Sequence, residues 1–353
     1  MSKYYDIYPV LFKKLENTVP KLRMECKSLD EYKVWRANAK AKLHDLLGLD
    51  KMVYTDPCPE KLESVHLDGY TREKWIIYTE PEIIMTFYVL IPDGIEPGEK
   101  RPAVIATHGH SSCGKEAVVG NGFFPELQEH IDSVNYAYGV SAVKQGAIVF
   151  APDARGFGER REKYWQNDTP GSRLASSCSY INSMAYPLGM CVAGMWTWDL
   201  MRLADYIETR DDILEGKIGT IGISGGGLQN LYFSTMDDRL QYTVISGYFY
   251  GFNESLLEMF NCSCNYVPHL WEYFDVGDIG SLIAPRPLVI ETGTVDPLNG
   301  KSGLDNVKKY VEQVRSAYRL FGKEEDLFHD IHEGPHRWHG VQSIDFIKKY
   351  LMN

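Results

Sequence analysis

The sequence predicts an α/β fold with a mostly parallel central sheet and helices on both faces. Short apolar runs after residue 100 have the composition of strands buried on both faces. These runs are 103–109, 147–153, 218–224, 242–248 and 287–293. Helical stretches between them supply the crossovers that a parallel sheet requires. The predicted helices are 127–145, 192–209, 226–236, 303–321 and 340–351.

The first part of the chain has a different pattern. Up to about residue 50, apolar residues recur at spacings of three and four, which is typical of amphipathic helices. Residues 62–91 then have strand composition, with turns at Asp68–Gly69 and Glu80–Pro81. We therefore expect a helical N-terminal extension over 1–58 and a second domain over 59–353 that opens with an antiparallel sheet.

Composition limits the classes of function. The 353 residues include 37 Lys and Arg against 48 Asp and Glu, a formal charge of −11 that repels nucleic acids and anionic membrane surfaces. The seven cysteines have no regular framework spacing, which suits a reducing compartment. The opening residues lack the apolar core of a signal peptide, and the sequence has no apolar run of the roughly 18 residues that a membrane helix needs. We expect a cytoplasmic protein.

The motif that carries chemistry is Gly222-Ile223-Ser224-Gly225-Gly226. It lies between a predicted strand and a predicted helix, where a Gly-x-Ser-x-Gly turn lifts a nucleophilic serine out of the sheet. Glycines flank such a serine because the turn has no room for a Cβ atom. The alternative is a Gly-rich tight turn with no catalytic role.

A nucleophilic serine needs a histidine base and a carboxylate that orients it, and in this type of fold they follow the serine in the order acid, then histidine. Asp296 follows the predicted strand 287–293 and is the candidate acid, although an Asp before Pro297 also suits a turn or a helix cap. His336 is the favoured base because it lies nearer to the end of the last predicted strand, 326–334, than His339. His339 remains the alternative.

The transition state of acyl transfer also needs two backbone N–H donors for the oxyanion. Gly225 follows the nucleophile and is the first candidate, and His110, in the loop after strand 103–109, is the second. His108 and His110 can also be considered as a metal pair, and Cys262 with Cys264 as part of a zinc site. Neither pair has the further ligands nearby in the sequence that such a site needs, so we expect no metal.

Two loop features complete the expectations. Asp153 and Arg155 follow strand 147–153 and are predicted to form an ion pair that holds the loop beneath the active site. Loops 111–126, 154–191 and 249–285 are predicted to shape the pocket. The candidate aromatic walls of the pocket, for which packing in the core is the alternative, are Tyr180, Tyr186, Tyr248, Tyr250, Trp271 and Phe274.

Taken together, the motifs resemble those of a known group of enzymes. The run containing His108-Gly109-His110 is followed by PDARGFGER, WTWDLMR, GISGGG, ETGTVDPLNG and GPHRWHG, in this order. The sequence thus resembles bacterial α/β-hydrolases of the acetyl xylan esterase and dienelactone hydrolase-like group over roughly residues 60–353. The helical extension resembles one found in some members.

The resemblance implies an α/β-hydrolase catalytic domain with serine carbohydrate esterase activity. Ser224, Asp296 and His336 would form the triad, and His110 and Gly225 the oxyanion hole. Dienelactone hydrolases use a cysteine nucleophile, and Ser224 at that position favours ester hydrolysis. The implied substrate is a small-molecule or oligosaccharide ester, and no cofactor is expected.

Two other functions fit the same motifs. One is a serine peptidase of the prolyl-oligopeptidase type, although nothing in the chain supplies the propeller domain that usually covers such a site. The other is a catalytically silent binding protein, which a missing triad residue would favour. The sequence leaves the oligomeric state open, with a homo-oligomer among the options.

Overall fold

The computed structural model describes residues 5–165, 167 and 169–352, and within them nine strands form one sheet. The strands are β1 (Glu60–Leu67), β2 (Tyr70–Glu80), β3 (Ile83–Pro92), β4 (Arg101–Thr107), β5 (Ile148–Pro152), β6 (Ile213–Gly222), β7 (Leu240–Ser246), β8 (Leu288–Gly293) and β9 (Leu327–His332). Their order across the sheet is β1-β2-β3-β5-β4-β6-β7-β8-β9.

The sheet changes character along its width. Strands β1, β2 and β3 pair antiparallel with one another, and β3 also pairs antiparallel with β5. All pairs from β5 through β4 to β9 are parallel. Every residue of β5 and β8 is buried, as the apolar runs predicted. The predicted mostly parallel α/β sheet with an antiparallel opening is confirmed.

Helices cover both faces of this sheet. They are α1 (Tyr8–Glu16), α2 (Leu29–Leu46), α3 (Lys115–Val118), α4 (Pro125–Val134), α5 (Tyr138–Val143), α6 (Pro170–Leu174), α7 (Cys178–Ala185), α8 (Val192–Glu208), α9 (Gly225–Met236), α10 (Val276–Ser281), α11 (Leu304–Leu320) and α12 (Val341–Ile347). Among the described residues, no helix combines the length and the apolar content needed to cross a membrane.

One predicted helix, 127–145, is divided in two. Asn135 ends α4 with a φ of 57°, in the left-handed region that terminates a helix, and α5 begins three residues later. The sequence pattern missed this break because apolar residues continue on both sides of it. Asparagine tolerates this conformation better than most residues other than glycine.

The core has two main layers, one on each side of the sheet. Val244 and Val289 pack with residues of α4, α5 and α12 on one side, whereas Ile245 and Ile290 pack with residues of α9, α10 and α11 on the other. This division follows from the alternation of side chains along a strand. The parallel strands are therefore covered on both faces, and their carboxyl ends meet at one edge of the sheet.

The N-terminal extension shares a core with the sheet domain. Helix α2 buries Tyr32, Trp35, Ala39 and Leu43, whose spacing of three and four places them on one face. The Tyr32 hydroxyl donates a hydrogen bond of 2.7 Å to the carbonyl of Ser281, the last residue of α10. The boundary between 58 and 59 remains a prediction.

Candidate active site

Ser224 occupies a sharp turn between β6 and α9. Its φ of 57° and ψ of −119° are strained for a residue with a side chain, and its amide donates a 2.9 Å hydrogen bond to the carbonyl of Ser246. A Cβ atom at Gly222 or Gly226 would lie 2.3 Å from the Oγ1 or the carbonyl oxygen of Thr107, respectively. Only glycine fits at these two positions, as the motif predicts.

Asp296 and His336 form a close pair at the carboxyl edge of the sheet. Asp296 is buried after β8, and its Oδ2 lies 2.6 Å from His336 Nδ1. Its Oδ1 accepts a 2.9 Å hydrogen bond from the Leu298 amide and so caps the turn that begins at Pro297. The two interpretations of Asp296 in the sequence are therefore compatible, because each uses a different carboxylate oxygen.

Ser224 and His336 line the same cavity, which has a volume of about 250 Å³. Nδ1 of His336 faces Asp296, which leaves Nε2 as the nitrogen available to a nucleophile. The Ser224 hydroxyl and the His336 ring form no direct hydrogen bond in the described structure; such bonds in triads often tighten only when substrate binds. The other lining residues are His110, Ser111, His130, Val134, Tyr136, Ile223, Asn261, Cys262 and Leu298.

His339, the alternative base, belongs to a different pair. Its Nδ1 lies 2.8 Å from Asp330 Oδ2, and its ring stacks on that of His332 at 4.7 Å between centroids. The backbone amide of His339 donates a hydrogen bond to Glu291, whereas its side chain does not act as a helix cap. The structure thus places His336, and not His339, beside Asp296.

His110 and Gly225, the predicted oxyanion donors, are neighbours. A Cβ atom at Gly225 would lie 2.8 Å from His110 Nδ1. Gly225 is the first residue of α9, so its amide has no acceptor within the helix. The loop that carries His110 is fixed by a 2.7 Å hydrogen bond from the Gly109 amide to the Tyr136 hydroxyl.

His108 is committed to the structure of the same loop. Its Nδ1 lies 3.1 Å from the Ser112 hydroxyl, and its Nε2 accepts a 3.0 Å hydrogen bond from the Ala154 amide. Burial lowers the pKa of His108 to about 4, so its ring is neutral near pH 7. With both nitrogens in use, His108 cannot pair with His110 as a metal ligand.

Two parts of the site were missed by sequence reasoning. His130 lines the cavity, its Nε2 is buried without a hydrogen-bond partner among the described residues, and its pKa is lowered by burial and by the nearby His336. Nε2 of His110 lies 3.2 Å from Cys264 Sγ, in a group that also includes Cys262. Because His110 and these cysteines are more than 150 positions apart in the sequence, no local spacing connects them.

The predicted ion pair between Asp153 and Arg155 is wrong. Arg155 instead binds Asp199 at 2.7 Å and Glu80 at 2.8 Å. Asp153 binds the buried Lys115 at 2.6 Å. Asp153 and Arg155, with Ala154 between them, therefore have separate partners.

The aromatic side chains proposed as pocket walls do not line the cavity. Tyr248, Tyr250 and Phe274 are buried in the core. The sequence around them has no periodic pattern, so it gave no indication of which way these side chains point. Trp271 and Tyr186 line two other cavities, and Tyr180 packs edge-on against Tyr164. Within the described part of the chain, the aromatic wall of the cavity is instead Tyr136, together with the histidine rings.

Comparison with known proteins gives a consistent result. A protein family described as "Abhydrolase family" matches residues 2–238. The Bacillus subtilis (strain 168) protein named "Putative hydrolase YtaP" is 29% identical over 223 residues, which cover 60% of this chain and 66% of that protein. The matched region is thus slightly less than two thirds of the relative's length.

Solved structures share the fold at lower identity. The crystal structure of a "putative acetyl xylan esterase" from Bacteroides fragilis NCTC 9343 has a TM-score of 0.77 and 22% identity, covering 94% of this chain and 83% of that one. A glucuronoyl esterase from Solibacter usitatus has a TM-score of 0.62 and 13% identity, covering 91% and 93%. Since the family match covers more than half of the residues, this chain belongs to the abhydrolase family and has the α/β-hydrolase fold.

Proposed function

We propose that this protein hydrolyses carboxylic esters through an acyl-enzyme formed on Ser224. The observation that carries the proposal is that Ser224, at a strained strand-to-helix turn, and His336, paired with Asp296, line one cavity. The three residues also occur in the chain order serine, acid, histidine that this fold uses.

Each group has a role in this reaction. The Ser224 oxygen attacks the ester carbonyl while His336 Nε2 takes its proton, and Asp296 holds the ring and stabilises its positive charge. The amides of Gly225 and His110 donate hydrogen bonds to the oxyanion. Collapse of the tetrahedral intermediate expels the alcohol, which receives the proton from His336. Water then attacks the acyl-enzyme by the same route and releases the acid.

The cavity favours a short acyl group. Its volume of about 250 Å³ is below the range of roughly 300–1,000 Å³ that is typical of pockets for drug-sized ligands. Val134, Ile223 and Leu298 offer apolar contacts, whereas His130 and Asn261 offer hydrogen bonds. The names of the structural neighbours, acetyl xylan esterase and glucuronoyl esterase, favour a carbohydrate ester. An acetylated sugar or short oligosaccharide is the substrate that we propose.

The cysteines support a cytoplasmic location for this activity. All seven are free thiols, and four of them are buried. Free thiols persist in a reducing compartment. A cytoplasmic enzyme would act on short imported esters rather than on a polymer.

The test is hydrolysis of p-nitrophenyl acetate and p-nitrophenyl butyrate, followed by a panel of acetylated sugars. We expect faster turnover of the acetate than of the butyrate, and loss of both activities in Ser224→Ala. Ser183→Ala is the matched control, since Ser183 is exposed on α7. Full activity in Ser224→Ala would contradict the mechanism. Turnover of aminoacyl anilides without ester hydrolysis would indicate a peptidase. Absence of turnover with both esters and anilides would indicate a binding protein.

A further inference from the structure

Two thiols and an imidazole meet beside the candidate active site, and a third thiol is buried in the same cluster. His110 Nε2, Cys262 Sγ and Cys264 Sγ all lie within 4.8 Å of one another, and the His110–Cys264 distance is 3.2 Å. Cys178 belongs to the same buried cluster as Cys264, and the hydroxyl of Ser176, two residues before Cys178, lies 3.6 Å from Cys262 Sγ. We refer to these four residues as the Cys3His cluster.

The cluster joins three separate parts of the fold. His110 lies in the loop after β4, Cys178 is the first residue of α7, and Cys262 and Cys264 lie in the loop after β7. Cys178 and Cys264 are fully buried, whereas Cys262 is half-buried and lines the active-site cavity. The cluster is therefore shielded from bulk solvent on most sides.

Neighbouring polar groups hold the loop that carries two of the thiols. The Asn182 side chain donates a 2.8 Å hydrogen bond to the carbonyl of Ser263, between the two cysteines. The Asn265 side chain donates 2.9 Å and 3.7 Å hydrogen bonds to the Cys262 carbonyl and to Cys264 Sγ. Outer groups of this kind orient the ligands of a metal site.

The donor set is that of a structural zinc site. Cys3His is one of the standard ligand combinations for tetrahedral Zn²⁺, and thiolates select soft or borderline metals over Mg²⁺ or Ca²⁺. With Zn–S bonds of about 2.3 Å, tetrahedral geometry places adjacent donors about 3.8 Å apart. His110, Cys262 and Cys264 already lie within 4.8 Å of one another, and Cys178 becomes the fourth donor when its side chain turns towards them.

We propose that His110, Cys178, Cys262 and Cys264 bind one Zn²⁺ ion as a structural site. Four protein ligands fill a tetrahedral shell, so the site holds the structure together and leaves no open position for substrate. Binding releases protons from the thiols, which coordinate as thiolates. The ion links the loop of His110, a candidate oxyanion donor, to α7 and to the loop after β7. This proposal does not depend on the esterase activity.

The first experiment titrates the reduced full-length protein with Co²⁺, which replaces zinc and absorbs strongly when thiolates bind it. We expect a thiolate-to-cobalt charge-transfer band that saturates at one Co²⁺ per chain and disappears when Zn²⁺ is added. Loss of an outer-shell partner already weakens metal binding by roughly 10- to 100-fold. Cys178→Ser and Cys264→Ser, which remove a ligand, should therefore weaken Co²⁺ binding at least as much.

Cys191→Ser is the matched control. Cys191 is also a buried free thiol, but it caps α8 by accepting from the Gly194 amide, a role that serine fulfils well. Its Co²⁺ affinity should equal that of the wild type. If Cys264→Ser does not fold by circular dichroism, the half-buried Cys262→Ser tests the same ligand set.

Three results would overturn the proposal: no charge-transfer band in the reduced protein, unchanged affinity in the cluster variants, or binding that is lost in His336→Gln and kept in Cys264→Ser. The last result would place the metal at the triad. Ser224→Ala should bind Co²⁺ normally, so a failure of the proposed esterase activity and a failure of this site are distinguished.

Discussion

Nδ1 of His336 lies 2.6 Å from Oδ2 of Asp296, although 40 positions separate the two residues in the chain. A second histidine–carboxylate pair, His339 with Asp330 at 2.8 Å, lies in the same C-terminal segment. The two pairs have similar exposure, with 24% of the His336 side chain and 33% of the His339 side chain accessible. They therefore provide matched variants for testing the mechanism.

Replacement of His336 should abolish activity, whereas replacement of His339 should not. In His336→Gln we expect kcat to fall by about three to six orders of magnitude, because the proposed base that Asp296 orients is lost. His339→Gln should keep most of the wild-type kcat. Steady-state hydrolysis of p-nitrophenyl acetate measures both. Equal losses in the two variants would contradict the assignment of the base.

Replacing the acid should have a similar outcome. Asp296→Asn is expected to lower kcat by about 10⁴-fold, because an amide holds the imidazole in the wrong tautomer. The Asn oxygen can still accept from the Leu298 amide, so the melting temperature should change little. Asp330→Asn is the control, and its kcat should stay near that of the wild type. Near-normal activity in Asp296→Asn would exclude it as the orienting acid.

The pH profile of kcat/KM should show the titration of a single essential base on its acidic side. The rate constant kcat/KM is expected to rise with pH and reach a plateau, because a general base must be unprotonated to accept the proton of the serine. Burial lowers the pKa of both His108 and His329 to about 4, so these two rings are neutral near pH 7. His329→Gln should therefore leave the profile unchanged. A profile that needs two protons, or one that moves in His329→Gln, would contradict this account.

The buried carboxylate of Asp199 should be important for stability. Asp199 binds Arg155 at 2.7 Å and Arg160 at 2.8 Å, and these cations lower its pKa to about 2 despite burial. Asp199→Asn removes the carboxylate that the buried Arg160 binds and one of the two that Arg155 binds, which should reduce the free energy of unfolding by about 3–5 kcal/mol at pH 7. Urea unfolding measures this change.

The control for that experiment is Asp205→Asn. Asp205 binds Arg239 and Arg202 at 2.8 Å, but a third of its side chain is exposed. A partly exposed pair contributes up to about 1 kcal/mol. The folded-state pKa of Asp199 is depressed, so its stabilisation is present above the unfolded pKa of about 3.9. It should be lost as pH falls towards the folded value of about 2. Equal effects of the two substitutions at pH 7 would contradict the prediction.

Local sequence predicted the fold and part of the candidate site for identifiable reasons. The strands buried on both faces have continuous apolar runs, and the turn at Ser224 needs glycines that the sequence displays directly. Asp296 and His336 follow from the chain order of the fold. The choice between His336 and His339 depends on which ring contacts Asp296 at the edge of the sheet. The two histidines are only three positions apart, so the sequence does not determine which one makes that contact.

The missed features are those made by contacts between distant segments. Cys178 and Cys264 share a buried cluster only because α7 packs against the loop after β7. Arg155 binds Asp199 on α8 rather than its sequence neighbour Asp153. The aromatic residues of loop 249–285 turn inward because burial of their large apolar surface is favourable, and the irregular pattern of that loop does not reveal its inner side.

Asp296 serves two purposes with a single side chain, since one oxygen shapes the turn at Pro297 and the other orients His336. A glutamate there would retain the charge, but its extra methylene would move both contacts at once. The shape of this turn and the proposed reactivity of Ser224 thus depend on the same side chain. We therefore expect substitutions of Pro297 or Asn299, which are not among the residues that line the cavity, to change catalysis through Asp296.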